Sequence, residues 1–498
     1  MRPLFAGTWH GADGAPFSVF LVRASLVFAF LSLALLGLNA FPHGFIYAPY
    51  PERPAYVLSL AGMTCYALSL RWAGQWREHK VLLALVGLSL LYGLCITLAG
   101  AAHLGGGGLY DFAFFNYLYR KVFPSLYILW FAFLLSPMEE RAQRRFFIAA
   151  LLVLFILNAP HMILENLANF GREEIKDFLV SINPWFRTEN TSHDNWPPAY
   201  YVGRVRGLFA EPSHLAFAFI PLLGYFFFKA HKRLIFLLPL LLLAFSYIWK
   251  IPTMTGLVSL GGFLAAFVLR PFLPLIAKRP RTAGVILTGV AACGFFCLTL
   301  LPQWPQLTKD WQEAGRIAAY CEQAWDDPAA EPPVLSGRAN SRFFTRMASM
   351  RLEMTVALAH PWGTGYFLGG LYREPLRVWE SQPQELFLYM RYAFAKPVPV
   401  MPHLCEYSAL AAELGFPSLL LFLALCFYVG RLAWKRYALE QDLFFYYMAV
   451  SVLAFMAALF SCAMKSGFMF YYFLGFLYAV SHSSLPHGRF RAKAGASN

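Results

Sequence analysis

Charged residues are scarce in this chain. Asp, Glu, Lys and Arg make up 14% of its 498 residues, against about 25% in a typical soluble domain. Hydrophobic residues make up 58%, and the mean hydropathy is +0.50. Water-soluble cores cannot bury so much apolar surface, so lipid must solvate part of the chain. This composition excludes a cytosolic enzyme, a secreted disulfide scaffold and a disordered chain.

Several chemical motifs are also missing. The sequence has no His-Glu-x-x-His, no Cys-x-x-Cys and no Asp-rich metal motif. The four glycines at 105–108 lack the lysine and the strand–helix context of a phosphate loop, so they indicate a flexible turn. The eight cysteines have no metal-ligand spacing, and Cys321 and Cys405 are the pair considered for a disulfide. We therefore expect no metal and no cofactor.

Long apolar runs are what the chain has instead. A membrane-spanning helix needs about 20 mainly apolar residues. The first run is too long for a cleavable signal peptide, and no small-residue cleavage pattern follows it. The sequence thus predicts an all-α polytopic membrane protein of twelve spans, which in chain order are 17–40, 55–71, 81–100, 122–137, 145–164, 207–228, 234–249, 252–275, 283–302, 406–429, 443–463 and 467–484.

The distribution of charge sets the expected orientation. The net charge is +14, and every second short loop between the predicted spans is basic. By the positive-inside rule, these loops and both termini lie in the cytoplasm. The chain then divides into spans one to five (1–164), a first long outer loop (165–205), spans six to nine (206–302), a second long outer loop (303–404), spans ten to twelve (405–484) and a basic cytoplasmic tail (485–498).

The first candidate site lies where the first long outer loop meets span six. Arg204 and Arg206 precede Glu211, which stands at the start of an apolar run. A carboxylate in that position is costly unless it is paired or hydrated, and Arg206 is close enough in sequence to pair with it. One interpretation is an interfacial ion pair that anchors the helix. The other is an arginine site for a phosphate or pyrophosphate, whose oxygens match the guanidinium fork.

The second candidate site lies in the second long outer loop. Arg338, Arg342 and Arg346 recur at i, i+4 and i+8 and so share one face of a predicted helix. His360 follows in the run His-Pro-Trp-Gly-Thr-Gly. A solvated or headgroup-binding face is the simpler interpretation. The positive-inside rule disfavours basic residues near spans on the outer side, which favours an anionic substrate.

The third candidate site begins span ten. His403 has an intrinsic pKa suited to proton transfer, and Glu406 and Glu413 follow it into an apolar segment. Glu406 could orient the imidazole or serve as the base itself. A structural role for a histidine at a membrane interface is the alternative.

Three sequence blocks together resemble the O-antigen ligase and O-antigen and exopolysaccharide polymerase superfamily. They are RGLFAEPSHLA (206–216), SGRANSRFFTRMASMRLEMTVALAHPWGTGY (336–366) and HLCEYSALAAELGFPSLLLFL (403–423). The order of the blocks and the long loops before spans six and ten also agree. Leu404 departs from the small polar residue that commonly follows the family histidine, which leaves Glu406 or Ser408 as substitutes for His403.

The resemblance implies a function and its partners. It implies a metal-independent, inverting glycosyltransferase of the bacterial inner membrane, with its active site at the periplasmic face and no cofactor. The donor would be a glycan on undecaprenyl pyrophosphate, and the partners would be membrane lipids, a chain-length regulator and a flippase, with no nucleic acid. A ligase that transfers the glycan to lipid A–core is the alternative within the family. A lipid-linked glycan transporter and a membrane scaffold are the alternatives of other classes.

Overall fold

The fold is helical in every part of the chain that the structure describes. The computed structural model describes residues 16–37, 53–106, 108–182, 203–209, 211–248, 253–270, 353–368, 405–460 and 468–482, with the single residues 312 and 350. Strands are absent from these ranges. Four predicted site residues lie outside the described residues: the three arginines of the second candidate site, Arg338, Arg342 and Arg346, and His403 of the third.

The first half of the described chain contains seven α-helices. The bounds are α1 Pro16–Ala34, α2 Arg53–Leu68, α3 Lys80–His103, α4 Gly108–Tyr117, α5 Phe123–Leu135, α6 Glu140–Asn169 and α7 Glu173–Ile182. A widened π-helical turn, Leu118–Val122, joins α4 to α5 without a break.

The helices of the second half include one sharp bend between neighbours. The bounds are α8 Pro212–Ala218, α9 Ile220–Ala230, α10 Leu237–Ile248, α11 Met254–Leu269, α12 Glu406–Glu440, α13 Leu443–Ala458 and α14 Phe468–His482. α8 and α9 meet at 52°. A short helical segment at 353–359 lies between α11 and α12.

The lengths and apolar composition of these helices are those of a helical membrane protein. Within the described ranges, five helical stretches are long and apolar enough to cross a membrane, or six if the bent pair α8–α9 is one span. Shorter apolar helices cover 54–68, 234–248, 255–269, 443–458 and 468–482. Helices therefore occupy each predicted span except 283–302, which lies outside the described residues.

Among the helix ends that differ from the predicted span ends, two bear on the candidate site residues. The helical stretch that contains the span predicted from residue 122 begins at Gly108. Gly108, predicted as part of a flexible turn, is therefore helical. α6 continues to Asn169, so Glu165 lies within this helix. Polar residues at this end of α6 face protein, which lets the helix continue past the apolar run.

Several basic segments meet at one end of the helix bundle. Arg144 Nη1 lies 2.6 Å from Asp442 Oδ2, and Arg436 Nη2 lies 2.6 Å from Glu140 Oε2. The side chain of Asp442 also accepts a hydrogen bond from the N–H of Phe444 and so caps α13. We call this the basic end. Other contacts there pair His79 with Tyr478 and Arg270 with His231.

α12 bends sharply at Gly415. The backbone there has φ 77° and ψ 169°, outside the helical region. The rings of Tyr407 and Phe422 have centroids 6.3 Å apart, whereas positions fifteen residues apart in a straight α-helix are separated by about 22 Å. Residues 406–414 therefore form a short arm that folds back toward 416–440. The predicted span at 406–429 is therefore helical but bent, and its helix continues to Glu440.

Candidate functional site

The loop that carries Arg204 and Arg206 is fastened by its backbone to a polar stripe on α6. Asn169 Oδ1 accepts the N–H of Gly203 at 2.7 Å, and Asn169 Nδ2 donates to the carbonyl of Arg204 at 3.2 Å. Further along α6, Asn158 Oδ1 accepts the N–H of Leu208 at 2.9 Å. The loop thus runs along about three turns of one helix face.

Glu165 holds the centre of this loop. Its Oε2 accepts the N–H of Arg206 at 2.9 Å and the N–H of Gly207 at 2.8 Å. Its Oε1 lies 3.8 Å from Arg206 Nε and 3.7 Å from His161 Nε2. One carboxylate therefore fixes both the backbone and the guanidinium of Arg206.

Two residues of this loop, Arg206 and Gly207, are suited to their positions by charge and by size. Arg206 is 3% exposed, and a buried guanidinium is tolerated where a carboxylate accompanies it. Gly207 has φ +59°, and a Cβ there would lie 2.7 Å from Asn158 Oδ1. The Arg-Gly pair of the motif is thus a buried cation followed by a residue that must lack a side chain.

Glu211 stands at the N-terminus of α8, directly before Pro212. It accepts a hydrogen bond from Ser213 Oγ at 3.0 Å. The predicted Arg206–Glu211 pair is replaced here by the Arg206–Glu165 pair, since α6 presents Glu165 directly to the loop. The Glu-Pro-Ser motif instead starts a helix, with Pro at a position whose N–H has no partner within the helix.

The His-Pro-Trp-Gly-Thr-Gly run packs into the bend of α12. Pro417 has no N–H, so the carbonyl of Glu413 lacks its usual helical donor, and the N–H of Gly365 donates to it at 2.8 Å. Thr364 donates its N–H and its hydroxyl to the carbonyl of Ala412, at 3.2 and 3.0 Å. The loop thereby satisfies the carbonyls that the bend releases.

The contact between loop and bend is too close for side chains. The N–H of Phe416 donates to the carbonyl of Pro361 at 3.0 Å. A Cβ on Gly415 would lie 2.4 Å from the carbonyl carbon of Trp362, and one on Gly363 would lie 2.7 Å from the carbonyl oxygen of Glu413. Two motifs that are 48 residues apart at Thr364 and Ala412 therefore form one structural unit.

His360 precedes this loop and ends the short helical segment. Its N–H donates to the carbonyl of Val356 at 2.8 Å, and its own carbonyl accepts the N–H of Gly363 at 2.8 Å. Burial, followed by the nearby His103, lowers the pKa of the His360 imidazole below its usual value. This shift favours the neutral imidazole over the charged form.

Glu406 begins the short arm of α12 and contacts Lys121. Glu406 Oε1 lies 3.8 Å from Lys121 Nζ, and both side chains are about nine-tenths buried. The N–H of Glu406 donates to the carbonyl of Leu459 just after α13, at 3.0 Å. The side chain and the backbone of Glu406 are thus both held.

A second carboxylate contact lies beside Glu406. Ser408 Oγ donates to Glu353 Oε2, and Glu353 is fully buried. The pair joins the segment that follows the predicted arginine helix to the short arm of α12. Cys405, considered for a disulfide, is buried and free, and Cys321 lies outside the described residues.

Three of the residues that organise these sites are not among the site residues predicted from the sequence. Lys121, Glu353 and Glu165 each contact a predicted site residue or its neighbour. A lone charged residue within an apolar run is the signal that could have selected Glu165, and a basic pair, Arg120 and Lys121, at the start of an apolar run is the signal that could have selected Lys121. Glu353 follows the arginine stretch in the 336–366 block, and no sequence pattern there indicates that it is buried.

No cluster of three or more His, Cys, Asp or Glu side chains with metal-binding geometry occurs among the described residues. In comparisons with known proteins, no family model and no curated protein matches the chain.

Proposed function

We propose that this chain is a membrane glycosyltransferase that polymerises undecaprenyl-pyrophosphate-linked repeat units into O-antigen or exopolysaccharide at the periplasmic face of the bacterial inner membrane. The observation that carries the proposal is the clamping of the Arg204–Arg206 loop by Asn158, Glu165 and Asn169. Arginines that are held before the substrate arrives can stabilise the charge of a leaving pyrophosphate without reorganising. The resemblance of the three sequence blocks supports the same assignment.

The proposed reaction is a direct displacement. The acceptor hydroxyl attacks the anomeric carbon, the bond from that carbon to the phosphate oxygen breaks, and undecaprenyl pyrophosphate leaves with the electron pair. Arg204 and Arg206 bind the pyrophosphate, with Arg338, Arg342, Arg346 and His360 on the pyrophosphate or glycan. His403 takes the acceptor proton with Glu406 orienting it, or Glu406 takes the proton itself. Glu211 completes the proposed catalytic group at the start of α8.

A transporter remains the alternative of another class, and the bend of α12 bears on it. Transporters often use broken helices whose released backbone groups bind the cargo. Here the carbonyls of Ala412 and Glu413 accept hydrogen bonds from the 364–365 backbone. Because these groups are occupied by protein, the bend favours a rigid site over a cargo-binding break.

The test is product analysis in proteoliposomes with a purified lipid-linked glycan. Longer lipid-linked glycans are expected. Products joined to added lipid A–core would identify the ligase alternative. Movement of unchanged glycan across the bilayer would identify a transporter and overturn the proposal.

A further inference from the structure

Lys121 is a charged residue inside a spanning helix. It lies near the middle of the 28-residue helical stretch Gly108–Leu135 and is 7% exposed. An ionisable side chain at such a position is costly, and in membrane proteins it usually faces a partner within the bundle. Nothing in the proposed reaction yet gives Lys121 a role.

The local backbone is built around this lysine. Pro124 has no N–H, and its ring would clash with the carbonyl four residues earlier in a regular helix. The chain responds with the widened turn Leu118–Val122, in which the N–H of Phe123 donates to the carbonyl of Leu118. Such π-turns often occur at functional sites. Lys121 lies inside this turn, and its side chain is buried.

Lys121 contacts both parts of the bent helix α12. Its Nζ lies 3.8 Å from Glu406 Oε1 on the short arm. It also lies 5.9 Å from the ring centroid of Phe422 on the long arm, a distance at which a cation is attracted to an aromatic face. Lys121 therefore joins the two arms at the point where Glu406 stands.

We propose that Lys121 is a positioning residue that holds the carboxylate of Glu406 in its working geometry. This inference rests on the proposed function, in which Glu406 orients His403 or acts as the base. The loop 361–365 fixes the bend of α12, and Lys121 fixes the start of its short arm. A misplacement of about 1 Å at a reacting group can cost about 10² in rate.

The experiment measures glycan polymerisation by purified Lys121→Met and Lys121→Arg proteins. We expect Lys121→Met to lose about 10² in kcat with little change in KM, and Lys121→Arg to recover most of this loss. The matched control is Lys176→Met, which removes an exposed lysine paired with Glu173 at 2.8 Å and should leave the rate unchanged. Detergent-solubilised melting curves identify any variant that fails to fold.

A double-mutant cycle separates positioning from general stabilisation. If Lys121 acts through Glu406, adding Lys121→Met to Glu406→Gln should cause little further loss of kcat. Full additivity of the two losses, equal loss in Lys121→Met and Lys121→Arg, or a loss confined to KM would overturn the inference. All of these measurements require an active wild-type protein. A wild type without transferase activity refutes the proposed function. An active wild type with an equally active Lys121→Met refutes only the positioning role of Lys121.

Discussion

Replacing Gly415 by alanine tests whether the bend of α12 is an obligatory part of the fold. The φ of 77° and ψ of 169° at Gly415 belong to a region that is essentially restricted to glycine, and such backbone costs about 1–3 kcal/mol for another residue. The new Cβ would also lie 2.4 and 2.5 Å from the carbonyl carbon and oxygen of Trp362. Relief of these overlaps must move the loop away from the helix.

The size of the effect follows from what the movement breaks. Two of the hydrogen bonds at this contact are Phe416 N–H to Pro361 and Gly365 N–H to Glu413, each worth about 1 kcal/mol. Together with the strain, Gly415→Ala should cost about 3–5 kcal/mol. For a chain of this size, thermal unfolding in detergent should show an apparent Tm lower by about 3–5 °C, with loss of transferase activity.

Gly430→Ala is the matched control within the same helix. The nearest atom to a Cβ on Gly430 is 3.7 Å away on Val452, which is an ordinary contact. Alanine is favoured over glycine in a helix by roughly 0.5–1 kcal/mol, so the apparent Tm should stay or rise. Equal apparent Tm values for Gly415→Ala and Gly430→Ala would refute the account of the bend.

Four further variants and one accessibility measurement test other parts of the account. Arg206→Ala and Arg206→Lys should both abolish transfer at normal membrane levels, because an ammonium lacks the bidentate fork; an active Arg206→Lys in the product assay would contradict this role. Asn158→Leu should lower stability by about 1–3 kcal/mol, since it leaves the part-buried N–H of Leu208 without its acceptor, and an unchanged melting curve would count against the clamp. Burial, and to a lesser extent the nearby His482, lowers the pKa of His79 from its usual 6.5 to about 4. The unfolded chain therefore binds a proton at His79 before the folded chain does, so the stability falls as the pH drops from about 6.5 to about 4. Melting curves of His79→Asn should show a smaller fall of stability over that pH range, and a fall identical to that of the wild type would contradict this account. Cysteines placed at Lys176 and Arg141 should react with an impermeant maleimide from the outer and inner sides respectively; the reverse pattern would invert the proposed topology.

The positions of the helices could be predicted because they depend on local properties. Length and hydropathy of each run locate the apolar helices, and the clustering of basic loops at one end follows from their alternation along the chain. The contacts Arg144–Asp442 and Arg436–Glu140 show how far apart in sequence the members of that end are. The side of the membrane on which this end lies stays a prediction.

The partners of the site residues could not be predicted, because they depend on contacts distant in sequence. Glu165 bonds the N–H of Arg206 across 41 positions, while Glu211 is five positions away and was the natural choice from sequence. Lys121 meets Glu406 only after the fold has brought the π-helical turn Leu118–Val122 next to α12. The bend at Gly415 is not predictable from hydropathy, because 406–429 is apolar enough to form one span. Gly415 and Pro417 are explained by the packing of loop 361–365, which leaves no room for a side chain at Gly415 and donates to the carbonyl that Pro417 leaves without a helical partner.

The most direct test of the proposed transferase is the balance between bonds formed and lipid released. Purified protein with undecaprenyl-pyrophosphate-linked glycan and excess chelator should release one undecaprenyl pyrophosphate for each new glycosidic bond, with inversion at the anomeric carbon. Absence of released lipid, retention of the anomeric configuration or complete inhibition by the chelator would contradict the metal-independent displacement proposed for this chain.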